Sequence, residues 1–302
     1  MKKKSLNKQI RRYIGKGKRY FSQNKFDKAI QCFDKAIEIN PNIAEIYVYR
    51  GDINYIINEE QAIKDYTEAI KLNPKSLKAY YSRGILHEVI FNETEKALFD
   101  YTQAIKINSD YQEAYVCRAN VYSQKEQYEL SIADYTKALL LKPDDYQTHI
   151  YRGKDYSYIN EFDKAKEDFL TALKGSFYSA YFYLGRLELQ KGNYIEAIPY
   201  YTNSIQQHCS KHIDSYFERG CCYMCTEEYE NAISDFTQTI NMALKDSNFS
   251  DKIAEFYFER AGAYLAFGNE IAYKADLQTA EDFKSGNRVI EEEWTEAWIN
   301  KD

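Results

Sequence analysis

The sequence predicts an all-α fold in which helical hairpins stack into a solenoid. Three observations carry that expectation. The chain has 302 residues, 44% hydrophobic and 28% charged, with 12 Gly and 4 Pro, a composition that can bury a core. A small residue then recurs at Gly17, Gly51, Gly84, Ala119, Gly153, Gly185, Gly220 and Ala261, in steps of 34, 33, 35, 34, 32, 35 and 41. Finally, an aromatic or Leu follows each of them 15 to 17 residues later, at Phe33, Tyr66, Tyr101, Tyr135, Phe169, Tyr201, Phe236 and Leu277.

Around these landmarks each unit reads aromatic, two residues, Arg, small, two residues, aromatic, a polar break, then Ala, three residues, aromatic, two residues, Ala. Apolar positions spaced by three and four mark amphipathic helices. Each unit therefore holds two helices joined at breaks such as Gln23-Asn24, Glu126-Gln127, Gly192-Asn193 and Gly268-Asn269. Pro41, Pro74 and Pro143 stop second helices, because proline has no N–H to continue one. A lone hairpin cannot cover both of its faces, so neighbours must stack.

In this pattern the residues resemble the tetratricopeptide repeat (TPR) family over residues 10–284, as eight units. Tyr13, Gly17, Tyr20, Phe26, Ala29, Phe33, Ala36 and Pro41 fall where that family places its aromatic, small and terminating residues. The resemblance implies a right-handed superhelix of about eight helix-turn-helix hairpins. Residues 1–9 read as a basic tail and residues 285–302 as a C-terminal capping helix, with Trp294 and Trp298 on one side of it.

With the recurrent small residue numbered position 8, Arg precedes it in six units, at Arg50, Arg83, Arg118, Arg152, Arg219 and Arg260. The same six carry an Asp near position 23, at Asp65, Asp100, Asp134, Asp168, Asp235 and Asp276. Units 1 and 6 lack both, with Lys16 and Cys32 in one and Leu184 and Tyr200 in the other. Positions 7 and 23 lie at one height on either side of a turn near position 15, so a charged pair is expected inside each of the six hairpins. Two irregularities stand out: Pro199 inside a second helix, read as a bend and local hinge, and the stretch 241–251, read as a surface loop or helix extension.

The resemblance further implies that first-helix positions 2, 5, 6, 9, 12 and 13 line a concave groove for a peptide or partner helix. Position 5 holds Ile14, Val48, Tyr81, Val116, Ile150, Phe182, Phe217 and Phe258. Position 6 adds Tyr49, Tyr151 and Tyr183, position 9 adds Asn120, and position 12 adds Phe21, Tyr55, Leu189, Met224 and Leu265. These side chains either line an apolar, aromatic groove or, at position 5, pack partly between hairpins. The family's clamp for acidic chaperone tails is absent, since Val116 and Tyr151 stand where it needs polar or basic groups.

A non-enzymatic adaptor for a protein or peptide partner is the reading that results, with no cofactor. The net charge of −6 argues against general nucleic-acid binding. No apolar run is long enough for a signal peptide or membrane span, so a cytoplasmic setting is expected, where sparse cysteines stay reduced. His87 and His149 hold template positions, and no nucleophile, base and acid converge. The alternative is a zinc- or redox-responsive regulator using Cys209, His212, Cys222 and Cys225. Residues 1–19 hold nine basic and no acidic residues, and 281–302 hold seven acids and three bases; this leaves solvated ends, salt-sensitive self-association, or docking of the N-terminus on an acidic partner or membrane surface as readings.

Overall fold

The computed structural model describes residues 2–207 and 212–285, and among these every regular element is helical. The order is α1 (Lys2–Phe21), α2 (Phe26–Ile39), α3 (Ala44–Ile57), α4 (Glu59–Leu72), α5 (Leu77–Ile85), α6 (Thr94–Ile107), α7 (Gln112–Gln124), α8 (Tyr128–Leu141) and α9 (Tyr146–Tyr158). It continues with α10 (Phe162–Lys174), α11 (Ser179–Gln190), α12 (Tyr194–Gln206), α13 (His212–Cys225), α14 (Tyr229–Ala243), α15 (Ile253–Ala266) and α16 (Glu270–Lys284). Two compact units divide the chain, residues 1–155 and 156–302. Within the first, the hairpins α1/α2, α3/α4, α5/α6 and α7/α8 stack in order, and within the second, α11/α12, α13/α14 and α15/α16 do the same. Each unit is thus a solenoid of antiparallel helix pairs.

The core follows from one stripe. In α4 the buried residues are Ala62, Asp65, Tyr66 and Ala69, and in α6 they are Ala97, Asp100, Tyr101 and Ala104, one face of a 3.6-residue helix. The aromatic of this stripe lies directly on the small residue of the first helix. A Cβ added at Gly17, Gly51, Gly84, Gly185 or Gly220 would come within 2.7 or 2.8 Å of the ring of Phe33, Tyr66, Tyr101, Tyr201 or Phe236. The ring needs the missing side chain for its bed, and its burial contributes roughly 1.5–3 kcal/mol.

The turns confirm the break near position 15. Asn24, Glu126, Asn160, Gly192, Glu227 and Gly268 all occupy that position with φ between 56° and 86°. Two hairpins depart from this length, and both keep their register. In hairpin 2 the connection shrinks to Asn58, whose side chain accepts from the Gln61 N–H and caps α4. In hairpin 3 an extra residue is absorbed by a π-helical turn over Leu86–Ile90 before Asn92 turns the chain. Between hairpins, Asn40, Asn73 and Asn108 end second helices in extended conformation and accept from the N–H two residues on.

The expected charged pair forms inside hairpins 2, 3, 4, 7 and 8. Arg118 donates from Nε and Nη2 to Asp134 at 2.7 Å each, and Arg83, Arg219 and Arg260 donate from the same atoms to Asp100, Asp235 and Asp276 at 2.7 to 2.9 Å. Arg50 reaches Asp65 and, through Nη1, Asp34 of hairpin 1 at 2.6 Å. The last contact shows what the spacing did not: each arginine also ties its hairpin to the one before. Arg83 bonds Thr67, Arg118 bonds Thr102, Arg152 bonds Thr136, Arg219 bonds Thr202 and Arg260 bonds Thr237, each at 2.9 or 3.0 Å. In hairpins 4, 7 and 8 Tyr rings three residues before and four after flank the guanidinium, as Tyr115 and Tyr122 flank Arg118.

Three stretches singled out in the sequence are placed as follows. Residues 2–9 are helical and continuous with α1, since Lys and Gln favour helix and no Gly or Pro interrupts Lys2–Ile10. Stretch 241–251 divides between the end of α14 and a short 3₁₀ turn at Ser247–Phe249, capped by Asp246. Pro199 lies within the single helix α12. The expected capping helix lies outside the described residues.

Candidate partner-binding surface

First helices of successive hairpins touch one another, α1 with α3 and α3 with α5 in the first unit, α11 with α13 and α13 with α15 in the second. They form a face on which position 9 of one helix meets positions 2 and 6 of the next. Lys18 pairs with Glu45 at 3.4 Å and lies over the Tyr49 ring at 3.9 Å, and Lys78 pairs with Asp52. In the second unit Arg186 faces Glu218 at 3.9 Å. Burial pushes the Glu218 carboxyl above the usual carboxylate range against the pull of Arg186, and burial beside Glu255 does the same to Glu259.

The predicted site residues divide between this face and the core. At position 5, Val48, Ile150 and Phe182 are buried. Tyr81 packs against Tyr111 and Tyr101 at 5.0 and 6.2 Å, and Phe217 against Phe256 and Phe236 at 5.1 and 5.8 Å. Ile14 and Phe21 pack partly on the hairpin 1 core, Val116 is half-buried, and Phe258 is exposed. Packing between hairpins therefore claims much of position 5. At position 6, Tyr49, Tyr151 and Tyr183 each stack on the core aromatic of the preceding helix pair, Phe33, Tyr135 and Phe169, with centroids 5.5 to 6.1 Å apart. Met224 is half-buried beside Phe236, and Tyr55 and Leu265 are exposed.

Asn120 is engaged from below: its Oδ1 accepts from the Tyr135 hydroxyl at 2.6 Å. The Tyr66 hydroxyl donates likewise to Asp52 at 3.1 Å, and that of Tyr101 to Glu88 at 2.5 Å. Tyr201 breaks this series, because Arg186 at position 9 and Leu189 at position 12 of its hairpin cannot accept. Among the described residues its hydroxyl is the buried side-chain group with no hydrogen-bond partner.

Three stretches match repeat-family models, residues 17–56 one described as TPR repeat, and 112–145 and 150–207 ones described as tetratricopeptide repeat. The chain is a tetratricopeptide repeat protein. Similar solved structures include the C-terminal part of a TPR repeat-containing protein from Cytophaga hutchinsonii, 19% identical over 79% of this chain and 98% of that one, with a TM-score of 0.64. A tetratricopeptide repeat protein from Parabacteroides merdae is 18% identical over 91% of this chain and 99% of its own, at a TM-score of 0.58. YrrB, described as a TPR protein with an unusual peptide-binding site, is 22% identical over 58% of this chain and 91% of its own, at 0.53. At these identities the likeness is one of fold. No curated protein matches the sequence.

None of the three matched models describes a catalytic family, and the tetratricopeptide repeat is generally a non-enzymatic interaction module. Two histidines of this tetratricopeptide repeat protein are held structurally: His87 Nδ1 lies 2.6 Å from Glu93, and His149 Nε2 lies 3.0 Å from the Pro143 carbonyl. Cys222 is buried against Phe182 and Tyr201, and burial pushes its thiol up to about 12. Cys225 is exposed one helical turn on. Cys209 and the His212 side chain lie outside the described residues, and no metal-holding cluster occurs within them. No helix among the described residues is long and apolar enough to cross a membrane.

One surface feature escaped the sequence reading. Ile56 and Ile57 end α3, and Val89 and Ile90 sit in the π-helical turn of hairpin 3, all between 45% and 65% exposed. Other repeats carry Gln, Lys or Ser at the matching positions of hairpins 1, 4 and 6, so the signal lay in comparing positions 13 and 14 across repeats. These exposed apolar side chains stand at the ends of successive first helices.

Proposed function

We propose that this protein is a non-enzymatic interaction scaffold whose first-helix face receives an extended peptide or a helix of a partner protein. The observation that carries the reading is the set of tyrosines at position 6, Tyr49, Tyr151 and Tyr183, each fixed by stacking before any partner arrives. Rigid amphipathic rings lose little entropy on binding and are enriched among the residues that dominate interface energies. Lys18 covers the Tyr49 ring, so in this reading Tyr151 with exposed Tyr55 makes the contacts in the first unit, and Tyr183 with exposed Phe258 and Leu265 makes those in the second. Val48, Ile150 and Phe182 support it from inside.

The peptide-binding site named for YrrB, on a similar fold, agrees with this reading. A net charge of −6 favours a protein over a nucleic acid as partner. The reading places the scaffold in the cytoplasm, where its free cysteines stay reduced. The test is affinity capture from source-cell lysate with wild type and a Tyr55→Ala, Tyr151→Ala, Tyr183→Ala variant of matching helicity. A protein captured by wild type and lost from the variant supports the face; capture of the same protein by both removes it.

A further inference from the structure

Hairpins 1 and 6 both lack the arginine–aspartate pair, and they fill its place in opposite ways. In hairpin 6 Leu184 takes the arginine position and is fully buried, with half-buried Tyr200 opposite in sequence. That exchange replaces an ion pair by apolar packing, a substitution that costs a protein little. In hairpin 1 the arginine position keeps a cation, Lys16, while the aspartate position becomes the buried Cys32, whose thiol is only a weak hydrogen-bonding group.

The result is a cleft of about 250 Å³ between α1 and α2. Tyr13, Lys16 and Tyr20 line it from α1, and Lys28, Cys32 and Lys35 line it from α2. Tyr13 and Tyr20 hold the positions of the two rings that flank the guanidinium in hairpins 4, 7 and 8, and the Lys35 ammonium lies 5.9 Å from the Tyr13 ring. Among the described residues no carboxylate pairs with Lys16, Lys28 or Lys35, and the nearby Asp34 is committed to Arg50. The cleft is the frame of the arginine–aspartate site with the cations multiplied and the anion removed.

We propose that this cleft binds a phosphomonoester dianion carried on a partner protein's side chain, its oxygens taking the place that the aspartate carboxylate fills in the other hairpins. The charge decides for phosphate over carboxylate. Three lysines line the cleft, and a phosphomonoester brings roughly −1.5 to −2 charges and three acceptor oxygens where a carboxylate brings one charge. Lysine meets phosphate as a point charge and needs no planar bidentate match. The nine Lys and Arg of residues 1–19, with no acid among them, raise the local anion concentration further. The site is separate from the first-helix face and does not depend on it.

The experiment is an amide-shift titration of the full chain with phenyl phosphate, with benzoate as a monoanion of similar shape. Phenyl phosphate is expected to move the amides of Gly15, Gly17 and Cys32 and to saturate them at roughly 10-fold lower concentration than benzoate. A Lys16→Gln, Lys35→Gln variant should bind it at least ~10-fold more weakly while its thermal unfolding is unchanged, since both side chains are exposed. Equal saturation by benzoate, unchanged binding by the variant, or shifts only at other residues would overturn the proposal. So would sedimentation with phosphatidylserine vesicles that the variant loses while phenyl phosphate leaves wild type unmoved, because that outcome gives the lysines to a membrane.

Discussion

Arg118 and Asp134 meet through two hydrogen bonds of 2.7 Å, and the free end of the same guanidinium reaches Thr102 of the hairpin before. One side chain thus closes its own hairpin and fixes it on the hairpin before. Asp134→Ala leaves a largely buried guanidinium without its counter-charge, and unfolding in urea should report a loss of about 3 kcal/mol. Thr102→Val removes only the link between hairpins and should cost about 1 kcal/mol. If the two losses were equal, the pair inside the hairpin would not be the stronger tie.

Glycine substitutions should split by sign. Gly51→Ala places a methyl group 2.8 Å from the Tyr66 ring, which must shift, at a cost of roughly 1–3 kcal/mol. Gly262 lies inside α15 with nothing within 4 Å of a Cβ there, so Gly262→Ala should stabilise by about 0.5–1 kcal/mol through helix propensity. Thermal unfolding of the two variants checks both.

The hydroxyl of Tyr201 gives a third contrast. Tyr135→Phe strands the Asn120 carbonyl and should lose about 1 kcal/mol, whereas Tyr201→Phe removes a buried hydroxyl that bonds nothing and should be neutral or stabilising. Chemical denaturation of both variants separates them, and a comparable loss in each would show that Tyr201 is satisfied in solution.

A pH dependence follows from Glu218. Its carboxyl is raised by burial in the folded protein, so between the unfolded value of about 4.3 and its folded value the native state holds the extra proton. Stability is then lost as pH rises through that window, the opposite of an ion-paired carboxylate. Glu218→Gln should flatten this fall and equal or exceed wild type at pH 7, as read from unfolding midpoints at pH 4 to 7. A variant less stable than wild type at pH 7 would mean that attraction to Arg186 outweighs the cost of burying the charge.

The fold was legible because its determinants are local and repeated. Gly51 and Tyr66, or Gly220 and Phe236, are two ends of one contact, and the return of nearly the same spacing in every unit exposed it. Arg118 and Asp134 could be paired from their height in the hairpin, but Thr102 could not, since the stacking offset of neighbours is a property of packing and leaves no period of its own. The candidate surface was legible only in outline. Tyr81 and Phe217 stand at position 5, which the sequence leaves open between groove and packing, and the structure packs them between hairpins, while Ile57 and Val89 become prominent through a shortened turn and a π-helical insertion that hydrophobic periodicity does not encode.

The most direct measurement of the scaffold reading is site-specific photo-crosslinking in lysate, with a benzophenone amino acid placed at Tyr55 on the first-helix face or at Leu140 on a second helix, both exposed. A partner adduct from position 55 and none from position 140 is the expected result. Equal adducts from both positions, or an adduct from position 140 alone, would contradict it.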